Sequence, residues 1–519
     1  MKRFNTTGIC ISKKHFMVNI DNKLKKIIKL IEEDSYFTIN RPRQYGKTTT
    51  LNELKLALKE KYLIVSLSFE GLGDSIFKEE ESFSKKFLEL MERSLEFQDF
   101  TEATRLKDLS VNINNLDDVS KAITKFVKES LKEVILIIDE VDKSSNNQLF
   151  LSFLGMLRNK YLSREISEDF TFKSVILAGV YDIKSLKLKI NPSEETKYNS
   201  PWNIAVDFNV DMSFSIGEIE TMLKEYEKAY EISMNTRLLS ERLYFFTSGY
   251  PFLVSRLCKI IDESIYEDYK KPWKIEDIDK AVKLVLNEKN TLFDSLIKNL
   301  ENNDELYKYI KDFTVLGIDK TFNIDNPLVN IGVTYGYFTN FDGKVSLSNR
   351  VFKERIFNYM VSKLENASLD MSKYNFKNNF ITNENGLNIN KICEKFQQYM
   401  KENYSSVDEA FIEREGRLIF MAFIAPIING VGFAFKEIQI SEEKRLDIVI
   451  AYNSFKYIIE LKIWRGHDYH EKGLKQLSDY LDIQGLSEGA LVTFNFNKKK
   501  EYLRESIIIE NKKIFLVMV

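Results

Sequence analysis

The segment RPRQYGKTTT, residues 41–50, contains the residue types that bind nucleotide phosphates. It matches the end of the pattern GxxxxGK[ST], in which the lysine reaches the β- and γ-phosphates and the next hydroxyl ligates magnesium. Lys47 and Thr48 take these positions, and Gly46 leaves room for a phosphate beside the backbone. The sequence therefore predicts a site for ATP and Mg²⁺. The residues expected to contact the nucleotide are Arg43, Gly46, Lys47, Thr48 and Thr49.

The first glycine of that pattern is missing. Arg41 stands where the pattern has glycine, and Pro42 follows it. An arginine does not easily adopt a left-handed backbone conformation, and a proline offers no N–H to a phosphate. We expect the loop to bind nucleotide, while its rate of hydrolysis stays open. An inactive loop that serves only as a scaffold is the remaining alternative.

A second motif, EVILIIDEVD at residues 133–142, supplies two acids. Its apolar run from Val134 to Ile138 is typical of a buried parallel strand, and the carboxyl ends of such strands carry ligand-binding groups. We expect Asp139 to hold the magnesium through water. We expect Glu140 to polarise the water that attacks the γ-phosphate.

The segments around both motifs predict a parallel α/β domain. DSYFTIN precedes the loop as a short strand, and Leu51, Leu54 and Leu58 recur at helical spacing after it. The β-rich runs YLIVSLSF and FKSVILAGV add two more strands. Strand, tight loop and helix together place backbone N–H groups and the positive end of the helix around a phosphate.

The chain of 519 residues is predicted to be a multidomain α/β protein. Helical periodicity from Gly217 onward predicts a lid, in which Arg256 could reach the nucleotide. The turn signal Asp342-Gly343 predicts a hairpin in a connector. The predicted domains are a P-loop ATPase core with a parallel sheet at 1–212, the helical lid at 213–290, a winged-helix-like connector at 291–385 and an α/β restriction-endonuclease-like domain at 386–519.

The clearest hydrolytic pattern is RLDIVIAYNSFKYIIELKIW, residues 445–464. Two strands flank Asn453-Ser454, and a two-residue turn there pairs Asp447 directly with Glu460. Two facing carboxylates repel each other unless a cation lies between them. Lys462 is two residues from Glu460 and shares its face of the sheet. This arrangement predicts a phosphodiester-cleaving site in which the acids hold Mg²⁺ or Mn²⁺ and the lysine orients water or stabilises charge.

Neighbouring segments offer further groups to that site. Glu415 lies in the amphipathic helix FIEREGRLIFMAFI, Glu437 in the strand GFAFKEIQIS and Gln476 in the helix GLKQLSDYLDI. The alternative is an exposed, charged hairpin with no catalytic role, because the spacing ExK is common in proteins. The predicted catalytic residues are Glu140, Glu415, Asp447, Glu460, Lys462 and Gln476. The predicted metal ligands are Thr48, Asp139, Glu437, Asp447 and Glu460.

Charge and composition exclude a general field that attracts nucleic acid. Lys and Arg total 75 against 77 Asp and Glu, so with a net charge of −2 any DNA or RNA contact must use a local patch. The N-terminus lacks the apolar core of a signal peptide. Leu418 to Phe435 is expected to form a buried helix, a turn and a strand, because Pro426 and Gly430 interrupt it. A cytoplasmic protein without a membrane span is predicted.

Along nearly its whole length the chain resembles bacterial proteins that join an AAA-ATPase-like domain to a C-terminal nuclease-like domain of the PD-(D/E)XK superfamily. The resemblance rests on RPRQYGKT, VILIIDEVDKS, SPWNIAVDF, GYPFLVSRL and RLDIVIAY followed by YIIELKIW. In that family RPRxxGKT is the usual form of the loop, which makes the missing glycine a family trait. The resemblance implies ATP and magnesium at Lys47, Thr48, Asp139 and Glu140. It implies a nuclease site at Asp447, Glu460 and Lys462, supported by Glu415 and Gln476.

The leading hypothesis is an ATPase that controls a metal-dependent endonuclease, with DNA favoured over RNA as its substrate. Defence against phage or mobile DNA follows from the architecture alone. The alternative is a signalling ATPase switch whose nuclease-like domain only binds nucleic acid or a protein partner. Homo-oligomerisation and a protein or phage-derived trigger are left open by the sequence.

Overall fold

The computed structural model describes residues 2–144, 148–180, 201–266, 270–314, 318–366, 377–403, 409–428, 432–435, 448–453, 455–464, 466–495 and 502–519. The chain divides into two units, each held together by its own contacts. The first unit comprises Met1–Leu292, Asn323–Asn340 and Ser346–Val351. The second unit comprises Phe293–Phe322, Phe341–Val345 and Phe352–Val519.

Among the described residues, helices occur in both units, and the strands form three sheets. The helices are α1 (Asp21–Glu32), α2 (Lys47–Leu58), α3 (Glu80–Glu96), α4 (Phe100–Leu109), α5 (Leu116–Glu129), α6 (Gln148–Glu165), α7 (Ile216–Tyr230), α8 (Thr236–Thr247), α9 (Pro251–Ile260), α10 (Ile275–Asn287), α11 (Thr291–Glu301), α12 (Asp304–Thr314), α13 (Pro327–Thr334), α14 (Arg350–Asn366), α15 (Ile389–Asn403), α16 (Glu409–Ile428) and α17 (His467–Ile483). The strands are β1 (Phe37–Asn40), β2 (Leu63–Ser68), β3 (Val134–Asp139), β4 (Ser174–Gly179), β5 (Phe338–Phe341), β6 (Lys344–Leu347), β7 (Gly432–Phe435), β8 (Ile448–Tyr452), β9 (Phe455–Ile463), β10 (Glu488–Phe494), β11 (Arg504–Ile509) and β12 (Lys512–Met518).

A four-stranded parallel sheet lies at the centre of the first unit, in the order β1-β4-β3-β2. The register pairs Asn40 with Gly179 and Ser68 with Asp139, so the carboxyl ends of the strands lie along one edge. Ligands of open α/β sheets bind outside that edge. The parallel sheet confirms the α/β fold predicted for the N-terminal region.

Apolar clusters cover both faces of this sheet. Ile135 packs with residues of α1 and α2, such as Ile27 and Leu54, in one cluster. Leu136 packs with residues of α3 and α6, such as Phe153, in the other. Adjacent strand residues thus point to opposite faces, as the two-residue period of a strand requires. Helices on both faces explain why β3 and β4 are buried along their whole length.

The second unit is built on a mixed six-stranded sheet, in the order β11-β12-β10-β9-β8-β7. β10 is parallel to both β9 and β12, whereas β7, β8 and β11 pair antiparallel with their neighbours. On one face, Leu477 and Leu481 of α17 pack against Ile458 and Leu491. The later part of the chain is therefore mixed α/β, and the finer domain boundaries stay a prediction.

The uncharged stretch from Leu418 to Phe435 contains the last part of α16 and then β7, in agreement with the predicted helix and strand, and the predicted turn lies outside the described residues. The helix is longer than expected, because it continues through Pro426 to Ile428. Among the described residues, no helix is long and apolar enough to cross a membrane. The predicted connector hairpin turns at Asp342-Gly343, where both residues have positive φ. Its winged-helix assignment stays a prediction.

Candidate functional site

The loop at residues 41–46 links β1 to α2 at the carboxyl edge of the first sheet. Gly46 caps α2 with a φ of 79°, a left-handed conformation that glycine adopts without strain. Lys47 begins the helix and is only 6% exposed. Its Nζ donates hydrogen bonds to the carbonyl oxygens of Arg41 and Pro42, at 2.9 and 3.0 Å. The loop therefore surrounds the lysine ammonium with neutral oxygens of its own backbone.

The two predicted magnesium-binding residues of this unit meet directly. The Thr48 hydroxyl donates a hydrogen bond of 2.8 Å to Oδ2 of Asp139. A hydroxyl and a carboxylate oxygen are the donor types that Mg²⁺ prefers, so these side chains fit the predicted ion. Because they come from α2 and β3, 91 positions apart, only the fold brings them together.

Glu140 occupies a strained position directly after β3. Its φ is 55°, in the left-handed region that non-glycine residues rarely adopt and that occurs at functional sites. Its backbone N–H donates to Oδ1 of Asp139 at 2.9 Å. Burial, and then the neighbouring Asp139 carboxylate, raise the pKa of Glu140 above its usual value. Burial lowers the pKa of Lys47, while Glu140 opposes that change.

The side chain of Arg41 points away from the phosphate position. Its guanidinium donates to the carbonyl oxygens of Asn40 and Val210, both at 2.8 Å, and lies 5.2 Å from the ring centre of Phe208. Its backbone N–H donates to the carbonyl of Gly179 at 3.1 Å and so extends the pairing of β1 with β4. Arginine is tolerated at this position because its side chain holds the chain segment after residue 204 instead of entering the loop.

The next two loop residues are anchored as well. The position of a Cβ on Gly336 would be 2.6 Å from Cγ of Pro42, so glycine is required for this close approach. Gly336 also has a φ of 76°. The Tyr250 hydroxyl donates a hydrogen bond of 2.5 Å to the carbonyl of Arg43, whose side chain is exposed. Three consecutive loop residues thus bind three different parts of the first unit.

Asp142 is a residue of this site that the sequence did not single out. Its Oδ2 accepts a hydrogen bond of 2.6 Å from the backbone N–H of Val180, directly after β4. The carboxylate therefore ties the acidic end of β3 to the end of the neighbouring strand. The spacing of Asp139 and Asp142 in DEVD was the available signal, but a third acid after a strand is common at solvated ends.

A cavity of about 660 Å³ adjoins the loop on the side of Gly46 and Thr49. Its wall is mostly apolar, including Met212, Phe214 and Phe252. A cavity of this size and character suits the base and ribose of a nucleotide. The N-terminal segment at residues 5–18 forms one side of it.

This N-terminal segment, which no sequence motif marked, is held at two points. The Cys10 N–H donates to the Thr49 hydroxyl at 3.2 Å, next to the phosphate loop. Further on, the Met17 N–H donates to Oε2 of Glu225 on α7 at 3.1 Å. The predicted contact residue Thr49 therefore holds the cavity wall in place.

Arg256, the lid residue predicted to reach the nucleotide, also lines the cavity. It is paired with Glu288 in a two-point ion pair, with Nη2 to Oε1 at 2.6 Å and Nε to Oε2 at 2.9 Å. Its helix, α9, begins beside the loop, because a Cβ on Gly46 would lie 3.8 Å from Cβ of Pro251.

In the second unit, the hairpin of β8 and β9 has the predicted register. Tyr452 pairs with Phe455 and Ile448 pairs with Ile459, across a turn in which Asn453 has a φ of 52°. Asp447 and Glu437 lie outside the described residues, as does the side chain of Glu415 within α16.

Three predicted residues of the hydrolytic site lie together, two on β9 and one on α17. Glu460 is 2% exposed and accepts an ion-pair contact of 3.0 Å from Lys462 Nζ. The same Nζ lies 3.3 Å from Oε1 of Gln476. Thr493 is the partner of Lys462 in the register of β10, and its buried hydroxyl has no hydrogen-bond partner among the described residues. No group of three or more metal-ligating side chains occurs within the described ranges.

Several solved structures resemble the chain. A Walker-type ATPase of Pyrococcus abyssi has 13% identity and a TM-score of 0.47, with 68% of this chain and 99% of that chain covered. The RuvB Holliday junction branch migration motor of Thermotoga maritima has 14% identity and a TM-score of 0.32, with coverages of 65% and 94%. The ORC2 protein of Aeropyrum pernix has 11% identity and a TM-score of 0.36, with coverages of 70% and 98%.

A family comparison assigns the first part of the chain. Residues 11–268 match the model of the AAA-like domain family. The N-terminal region therefore contains an AAA-like domain, as the resemblance implied. No curated protein matches the chain.

Proposed function

We propose that the AAA-like domain binds ATP with Mg²⁺ at the loop of residues 41–49 and hydrolyses it. The observation that carries this proposal is the hydrogen bond between Thr48 and Asp139, which joins the two predicted magnesium-binding residues beside the buried Lys47. A P-loop lysine, a hydroxyl and a strand-end carboxylate are the groups that this chemistry requires.

Each residue has a definite task in this proposal. Lys47 exchanges the carbonyl oxygens of its own loop for β- and γ-phosphate oxygens, which bind an ammonium more strongly because they are charged. Thr48 and Asp139 hold the Mg²⁺, which neutralises phosphate charge when bound. Glu140 orients the attacking water, and its strained backbone fixes the carboxylate at the end of β3.

A Glu140→Gln variant tests hydrolysis separately from binding. The amide keeps the shape of the side chain but loses its charge, so we expect ATP hydrolysis to fall about 100-fold. ATP affinity, measured by calorimetry with Mg²⁺, should stay within about threefold of the parent protein because Glu140 does not bind the phosphates directly. A variant that hydrolyses ATP at the parent rate would exclude Glu140 from the reaction.

We further propose that ATP controls a metal-dependent DNA endonuclease in the second unit. The observation that favours it is the cluster of the buried Glu460 with the partly buried Lys462 and Gln476. The order of elements from α16 to α17, a helix, three strands and a helix, is the order in which the sequence motif was expected. Glu460 with Asp447 would hold Mg²⁺ or Mn²⁺, whose charge supports phosphodiester cleavage. Defence against phage or mobile DNA, in the cytoplasm, is the setting that we propose.

Cleavage assays of the parent protein and Asp447→Ala, with Mg²⁺ or Mn²⁺ and with or without ATP, test this second function. We expect cleavage by the parent to depend on ATP and the variant to be inactive. If the variant cuts as well as the parent, the nuclease assignment is wrong. If neither cuts but both bind DNA equally, the signalling ATPase with a nucleic-acid-binding domain is supported instead. A matched comparison with RNA of the same sequence tests the preference for DNA.

A further inference from the structure

The cavity beside the phosphate loop contains an ion pair that its apolar wall does not require. Arg256 and Glu288 both line the cavity, together with Gly46 and Thr49 of the loop region. Their side chains are 27% and 22% exposed, so the pair is largely withdrawn from water. A carboxylate in this cavity opposes the entry of an anion, whereas a free guanidinium favours it.

Arg256 lies on α9, the helix that begins beside the phosphate loop. It lies five residues after Pro251, which is about 7.5 Å along α9 from the end of the helix beside Gly46. Side chains on a helix lean toward its N-terminus, which here is the end near the loop. Guanidinium groups also bind phosphate oxygens in the same two-point manner in which Arg256 now binds Glu288. Glu288 and the phosphates of a nucleotide would therefore compete for the Arg256 guanidinium.

We propose that Glu288 regulates nucleotide affinity by holding Arg256 until a polyphosphate takes its place. Without nucleotide, the ion pair neutralises the arginine. When ATP enters, its phosphates replace the carboxylate, and Glu288 at the end of α10 is released. The ion pair thus opposes binding and makes the lid contact depend on an anionic ligand. This inference rests on the proposed ATP site and deepens it, because it names a residue that lowers the affinity of that site.

The test is a double-mutant cycle on ATP affinity, with Mg·ATP as the titrated ligand. Glu288→Gln should tighten ATP binding about 10-fold, because the competing charge of the carboxylate is lost. Arg256→Gln should weaken it by a similar factor. In the double variant the gain from Glu288→Gln should disappear, because there is no arginine to release. A smaller gain is expected with ADP, which carries fewer phosphate oxygens.

Asp279→Asn supplies a matched control. Asp279 pairs with Arg242 at 2.8 Å, with side chains 31% and 29% exposed, and neither residue lines the cavity. This variant should leave ATP affinity unchanged. Melting temperatures without nucleotide, measured for all variants, show whether each variant is folded.

The outcomes distinguish failure of the regulatory role of Glu288 from failure of the proposed ATP site. Unchanged or weaker ATP binding by Glu288→Gln overturns the regulatory role while the ATP site stands. An equal gain in the Arg256→Gln background also overturns it, since the carboxylate would then act only by its own charge. A parent protein that binds no ATP overturns both this inference and the proposed ATP site.

Discussion

Two lysines, one in each unit, lie in similar positions and have different partners. Lys47 follows the carboxyl end of β1, and its hydrogen-bond partners among the described residues are two neutral carbonyl oxygens of its own loop. Lys462 lies near the carboxyl end of β9 and pairs with the Glu460 carboxylate at 3.0 Å. Both are largely buried. Among the described residues, Lys47 has no carboxylate within ion-pair distance, although Glu140, Asp142 and Asp139 act on it from farther away.

This difference in the partners of the two lysines indicates which ligand each site can accept first. An anionic phosphate can replace neutral carbonyl oxygens at Lys47 without breaking an ion pair. At Lys462 the lysine is already neutralised, and a cation that binds Glu460 would release it. The polyphosphate proposed at Lys47 would break no ion pair, whereas the metal ion proposed at Glu460 would have to displace Lys462.

The largest effect is expected on ATP affinity when Lys47 is removed. Lys47→Ala should weaken ATP binding by at least about 100-fold, because a buried charge-assisted contact to two phosphates is lost. Lys462→Ala should leave ATP affinity unchanged within about twofold. Both are measured by calorimetric titration of Mg·ATP. Parent-like ATP binding by Lys47→Ala would mean that the phosphates do not contact this loop.

A smaller effect concerns stability, and it sharpens the difference between the two lysines. Glu460→Gln should destabilise the second unit by about 2 kcal/mol, because Lys462 loses its counter-charge in a buried place. The double variant Glu460→Gln with Lys462→Met should recover most of that loss, since no unpaired charge remains. Urea denaturation measures both variants.

Lys47→Met supplies the matching control in the first unit. It removes two hydrogen bonds to neutral carbonyls and a longer-range attraction to Glu140 but no direct ion pair, so the free energy of unfolding without nucleotide should change by less than about 1 kcal/mol. If Glu460→Gln were equally mild, the proposed contrast between the two sites would be wrong.

The smallest effect is expected at the position of the missing glycine. Arg41→Gly restores the common pattern, yet ATP affinity should change less than about threefold, because the arginine side chain faces Val210 and Phe208. The free energy of unfolding should fall by about 1 kcal/mol through lost packing and greater freedom of the unfolded chain. Arg41→Met, which keeps the stem, separates packing from hydrogen bonding. A tenfold gain in affinity would show instead that Arg41 obstructs the phosphates.

Much of the fold follows from local pattern. The strand, loop and helix around Lys47 were predictable because apolar periodicity and glycine act on neighbouring residues. The pairing of Tyr452 with Phe455 was predictable because a two-residue turn determines the register of a hairpin. The direction of the Arg41 side chain was not predictable, because the carbonyl oxygens of Phe208 and Val210 that it contacts lie more than 160 positions away.

By itself, the sequence determined the residue types of both candidate sites, the strands that carry them and the alternation that puts Glu460 and Lys462 on one face. Only the tertiary structure decided that Thr48 bonds Asp139, that Gly336 approaches Pro42 and that Arg256 pairs with Glu288. The physical reason is the sequence separation over which each kind of interaction acts. Backbone hydrogen bonds and side-chain periodicity act over a few residues, whereas these contacts join distant segments and form only when burial of apolar surface packs the elements together.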